Sequence, residues 1–123
     1  MLSKLIRTTV IASAVIMVGA AQADSVKIGF VTTLTTPAAV IGEDMKNSVE
    51  LAMEHIGGKM GNLDVELIME DDGFKPDIGK QKTDKLVKQD DVDFVAGYIW
   101  SHVLLASAKS VLDADKFLIS ANA

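Results

Sequence analysis

Residues 24–123 predict a doubly wound α/β fold, on three observations. Short β-branched and apolar runs recur at residues 26–31, 63–70, 92–97 and 117–119. Between them, apolar residues return at helical rather than alternating spacing. No internal repeat or low-complexity tract interrupts the series. Strands alternating with amphipathic helices imply right-handed crossovers and a parallel sheet with helices on both faces.

The first 23 residues stand outside that pattern. Lys4 and Arg7 form a positive start, an apolar run occupies residues 10–21, and Ala21-Gln22-Ala23 puts small residues just before Asp24. This is the anatomy of a secretory signal cleaved after Ala23. A membrane span needs ~20 apolar residues, and this run is shorter and broken by Ser13 and Gly19. There is no cysteine to carry a lipid. The expectation is a signal peptide over residues 1–23 and a periplasmic protein that does not span the membrane after cleavage. Without the signal, 100 residues remain, and the net charge moves from −5 to −7 because both charges removed are basic. The remainder lacks arginine. A nucleic-acid surface requires clustered Lys and Arg, so that partner class is excluded. A bidentate guanidinium clamp on a carboxylate is excluded too, which leaves hydroxyls, backbone N–H groups or lysine to hold an anion.

The elements follow in order. Val26-Lys27-Ile28-Gly29-Phe30-Val31 reads as a buried strand, followed by a polar loop containing Pro37. Ile41, Met45, Val49, Ala52, Met53 and Ile56 then form a helical stripe. Gly57-Gly58 ends this helix, since glycine accepts the left-handed position just past a helix. Residues 59–62 are expected to be a surface turn, with the second strand at 63–70. Pro76 marks a helix start. The helix over about 77–89 has only Ile78, Leu86 and Val87 as apolar contacts, so it is expected on the outside of the sheet. After the third strand at 92–97, a third helix over 101–112 carries Leu104, Ala108, Val111 and Leu112 on one face. The fourth strand, at 117–119, has no covering helix after it. A parallel strand needs one, so the chain reads as the opening part of a larger lobe.

In open α/β sheets, ligands bind beyond the carboxyl ends of the strands, where strand order reverses. In a 2-1-3-4 order that point lies between the first and third strands, which selects loops 33–42 and 97–102, with 120–123 beside them. Gly97-Tyr98-Ile99-Trp100-Ser101 is the most informative stretch. Ser101 stands at a helix N-terminus, where free N–H groups and the dipole favour an anion. The same serine also suits an ordinary cap. Tyr98 and Trp100 could serve as core residues, but two aromatics on one strand-to-helix turn point to a pocket wall, and Tyr98, Ile99 and Trp100 are expected among the ligand-binding residues.

Catalytic readings are weak. Ser101 and His102 are adjacent, so on a helix they point ~100° apart and cannot act as nucleophile and base. His55 lies beside the apolar stripe and is expected to be solvated. Glu70-Asp71-Asp72 offers hard-cation ligands, but is expected to be a solvated strand end. No glycine-rich phosphate loop opens a helix, and a receiver domain would need an aspartate where Gly97 stands. Neither cofactor, metal nor catalysis is expected.

From Val26 onward the chain resembles the N-terminal lobe of type I periplasmic binding proteins, the branched-chain amino acid-binding family of ABC importers. The resemblance is carried by Ile28-Gly29-Phe30, by Pro37-Ala38-Ala39-Val40-Ile41-Gly42-Glu43-Asp44-Met45 and by Val49-Glu50-Leu51-Ala52. It continues through Glu70-Asp71-Asp72 with Lys75-Pro76, then residues 97–101 and Leu118-Ile119-Ser120-Ala121. It implies that residues 24–123 form an incomplete N-terminal lobe, with a second lobe and a hinge closing on ligand. It also implies that Ser101 and the backbone at Asn122 and Ala123 grip a ligand carboxylate, with a side chain near Ile41 contributing. Where the family often has Ser-Gly-Pro, this chain has Thr35-Thr36-Pro37, which predicts a stiffer loop. The run from Gly97 to Ser101 looks like members that take aromatic or other hydrophobic acids, with Trp100 as a wall. The expected function is therefore a solute-binding subunit that delivers a small molecule, a branched-chain amino acid or an aromatic acid, to an inner-membrane ABC permease. The alternatives are a periplasmic sensory protein on the same fold and a small hydrolase using Ser101.

Overall fold

The structure, a computed structural model, describes residues 25–120 and 122–123. The signal read at residues 1–23 lies outside the described residues. The elements are β1 (Ser25–Thr32), α1 (Ala39–His55), β2 (Lys59–Met60), β3 (Leu63–Asp71), α2 (Pro76–Lys88), β4 (Phe94–Gly97), α3 (Ser101–Leu112) and β5 (Phe117–Ile119).

The strands form one sheet in the order β2-β3-β1-β4-β5. β1 runs parallel to β3, from Ser25 opposite Asp64 to Thr32 opposite Asp71. It also runs parallel to β4, with Val31 opposite Gly97, and β5 continues parallel beyond β4. The parallel strands thus follow the expected 2-1-3-4 order. β2 corrects the expected surface turn: Lys59 and Met60 pair antiparallel with Asp64 and Leu63. The turn between them is Gly61-Asn62, and Gly61 has a φ of 62°, the left-handed value a two-residue hairpin requires.

Side chains of a strand alternate between faces, and β1 shows where its neighbours lie. Phe30 faces a groove beside α1. Val31 enters the main core with Leu86 and Val87 of α2 and Val103 and Val111 of α3. So α1 covers one face, and α2 with α3 the other.

The covered face corrects two expectations. Polar α2 is not peripheral: Gly79, Thr83, Leu86 and Val87 are all buried. Small residues make this possible, because a Cβ on Gly79 would lie 2.3 Å from Val103 Cγ1 of α3. On α3 the buried residues are Val103, Ser107 and Val111, one position round from the expected face, and Leu112 is 62 % exposed. The helix turns to meet α2 as well as the sheet.

α1 ends as its glycines predict. Gly57 N–H bonds to the Glu54 carbonyl and Gly58 N–H to that of Met53, the paired bonds of a Schellman turn. Its only buried residue is Gly42, where a Cβ would meet the Thr33 carbonyl oxygen at 1.8 Å. Among the described residues, no helix is long and apolar enough to cross a membrane.

Candidate functional site

Register places three loops side by side at one end of the sheet, since Val31 pairs with Gly97 and Ala96 with Ile119. α1 leaves β1 toward one face, whereas α3 leaves β4 toward the other. This is the reversal point at which open α/β sheets bind ligands.

Backbone crowding shapes the loop after β4. Gly97 has a φ of 103° and Tyr98 one of 62°, and Tyr98 N–H bonds to the Val31 carbonyl at 2.6 Å. A Cβ at Gly97 would come within 2.3 Å of that same oxygen, so only glycine fits. The tight bend turns Tyr98 into the core, where it is fully buried with its hydroxyl 2.6 Å from Thr83 Oγ1. Burial pushes the Tyr98 hydroxyl pKa up. This corrects the pocket-wall expectation for Tyr98: within this lobe it is a core residue. Ile99 is also buried. Trp100 is half-buried, and its indole N–H donates to Thr33 Oγ1 at 3.0 Å. The edge of Phe74 meets the Trp100 ring at 4.8 Å, and Phe74 also meets His102 at 5.2 Å.

Ser101 is the first residue of α3 and is exposed. Trp100 holds the cap position, and no side chain caps the helix start. The structure therefore removes the capping role that the sequence left open for Ser101. As the first residue of α3 it belongs to the turn whose leading N–H groups lack partners within the helix. Ile41 and Asn122 meet elsewhere: with Phe30, Met45 and Val49 they line a groove of about 540 Å³ along α1. Ala123 is exposed, and its N–H donates to Ser120 Oγ at 3.1 Å. The candidate residues thus form two groups, Trp100 with Ser101 and Ile41 with Asn122.

The acidic run is not the solvated strand end expected of it. Asp72 is fully buried, accepting from the Thr33 hydroxyl at 2.5 Å and Phe74 N–H at 2.9 Å. Asp71 accepts from Leu34 N–H at 2.9 Å, the Thr35 hydroxyl at 2.7 Å and Gly73 N–H at 2.9 Å. Burial pushes its pKa up, but these bonds outweigh burial and hold it below the usual carboxylate value. Glu70 pairs with Lys82 at 2.7 Å and Lys85 at 2.8 Å. The run fastens the loop after β1 to the end of β3. No metal-ligand cluster of three occurs among the described residues. Sequence reasoning missed Thr33, Asp71 and Asp72 as shapers of the site. Their signal was hydroxyls after one strand facing carboxylates at the end of its neighbour.

Known proteins bear on this geometry. The family model for periplasmic binding proteins matches residues 25–123. A Leu/Ile/Val-binding protein of Rhizobium johnstonii is 34 % identical over 87 residues, which is 69 % of this chain and 23 % of the relative. An ABC transporter substrate-binding protein from Sphaerobacter thermophilus superposes with a TM-score of 0.77 at 32 % identity, over 81 % of this chain and 27 % of its own. A solute-binding protein from R. palustris in complex with 4-hydroxybenzoate gives a TM-score of 0.77 at 25 % identity, over 81 % and 27 %. The chain thus spans about a quarter of the length of these relatives. With the order of its parallel strands and its reversal point, it belongs to the periplasmic binding protein family.

Proposed function

We propose that this protein is the periplasmic solute-binding subunit of an ABC importer. It takes a small carboxylate-bearing solute and hands it to an inner-membrane permease, without a chemical step. The observation that carries this reading is the exposed Ser101 at the start of α3, which no side chain caps, next to Trp100 at the sheet's reversal point. A carboxylate suits the free N–H groups and dipole of a helix start. A half-buried tryptophan suits the apolar part of the same solute. The relatives that bind Leu, Ile or Val and 4-hydroxybenzoate have a carboxylate in common as ligands, so either an aliphatic amino acid or an aromatic acid fits. In this reading residues 1–23 are the export signal and residues 24–123 belong to the N-terminal lobe.

The test uses the full-length protein recovered from the periplasm, which should begin at Asp24. Titration calorimetry with leucine and 4-hydroxybenzoate should find micromolar binding of one of them. Ser101→Ala should weaken it by ~1–3 kcal/mol, the scale of a hydrogen bond to a charged group. Because Ser101 caps nothing, the melting temperature should hardly move. Unchanged affinity in Ser101→Ala would refute the assignment.

A further inference from the structure

We infer that Thr33 and Asp72 are positioning residues that set the orientation of Trp100, and through it the preference of the site between flat aromatic and branched aliphatic acids. This rests on the reading above that Trp100 walls the ligand site.

The hydrogen bonds can run in only one direction. An indole N–H can only donate, so Thr33 Oγ1, 3.0 Å away, must accept. The remaining Thr33 proton is then directed to Asp72 Oδ1 at 2.5 Å. The same Oδ1 accepts Phe74 N–H at 2.9 Å, and Phe74 holds a left-handed φ of 65°. That backbone carries the Phe74 ring to Trp100, edge-on at 88° between planes. One buried carboxylate therefore governs both contacts of Trp100, the indole N–H through Thr33 and the ring through Phe74. Asp72 and Thr33 are fully buried, so water does not replace the bond between them.

The torsion that turns an indole about its Cβ–Cγ bond is broad and weakly held by itself. Without the Nε1–H bond the plane of Trp100 is free to turn. A flat ring stacks or meets an edge only at defined plane angles. A branched aliphatic chain has no plane to match and tolerates the change.

The experiment compares wild type, Thr33→Val and Thr33→Ser in the full-length protein. It measures the ratio of 4-hydroxybenzoate to leucine affinity, together with Trp100 emission isolated by subtracting the Trp100→Phe spectrum. Thr33→Val removes the hydroxyl at nearly constant shape. It should lower the ratio by about tenfold, the worth of one such bond, and shift the Trp100 emission. Thr33→Ser keeps the hydroxyl and should restore both. If Thr33→Val fails to fold, Asp72→Ala provides the second variant: it removes the acceptor of both the Thr33 proton and the Phe74 N–H, so ratio and emission should move as expected for Thr33→Val. An unshifted emission in Thr33→Val or Asp72→Ala, or a shifted emission with an unchanged ratio, overturns the inference. If the wild type binds neither acid, the proposed function fails separately, and the emission shift still decides whether Thr33 orients Trp100.

Discussion

The two faces of the sheet are covered on opposite terms. α1 has the cleaner apolar stripe, yet two of its members, Ile41 and Ile56, are 41 % and 44 % exposed. Polar α2 buries Leu86 completely and lies so close to α3 that Gly79 has no room for a methyl group. Depth of burial here follows from how near two backbones can come, and small residues decide that. An apolar stripe shows which side of a helix faces inward, but not how tightly it is held.

That contrast can be broken by mutation. Leu86→Ala removes a side chain from the tight face and should cost about 3 kcal/mol, whereas Leu51→Ala on α1 should stay within about 0.5 kcal/mol. Paired denaturant melts measure both, and equal losses would erase the distinction. Gly79→Ala is a test of sign. In an exposed helix it would stabilise by up to ~1 kcal/mol. Here the added methyl meets Val103, whose β-branched side chain has little freedom, at a cost of ~1–3 kcal/mol. The net expectation is a loss of about 1 kcal/mol, and a raised melting temperature would show that α2 and α3 are less tightly packed than described.

Acid should sharpen the comparison by a smaller amount. Burial pushes Glu70 up, but bonds from Lys82 and Lys85 outweigh it and leave its pKa below the ordinary 4.5. Hydrogen bonds from Lys80 and Lys88 take Asp84 from 3.8 down to about 2. A carboxylate with a depressed folded pKa stabilises above its unfolded value and loses that contribution as pH falls through the folded one. Melts should therefore weaken as pH drops from about 4.5 toward 2, by about 1 kcal/mol or less for partly exposed pairs. Glu70→Gln with Asp84→Asn should flatten that limb. Because these pairs involve α2, amide exchange in acid should rise on α2 before it rises on α1.

The same contrast explains what the sequence disclosed. The order of the parallel strands and the ends of α3 were legible, because apolar periodicity and turn residues report them directly. The closeness of α2 to α3 was not, since Gly79, Thr83 and Ser107 make that contact and none of them registers in a hydrophobic pattern. Tyr98 was misplaced because left-handed angles at Gly97 and Tyr98 rotate the side chain away from the direction a plain strand end would give it. Asp71 and Asp72 read as solvated until the pairing of β1 with β3 brought Thr33 and Thr35 to them. In the site, the position of Ser101 was legible, whereas its freedom from capping emerged only from the geometry of Trp100.

The uncapped helix starts have a further consequence for how an anion arrives. α1, α2 and α3 all begin at the carboxyl end of the parallel sheet, and no side chain caps any of them. Each presents roughly half a positive charge there, on a chain whose net charge is −5. At distances beyond ~10 Å the partial charges and the net charge of the chain are alike largely screened at ordinary salt. At contact the helix starts dominate, so the carboxylate of the proposed solute would feel them only on touching, and a solute that cannot bring its charge down to a helix start would gain nothing from them.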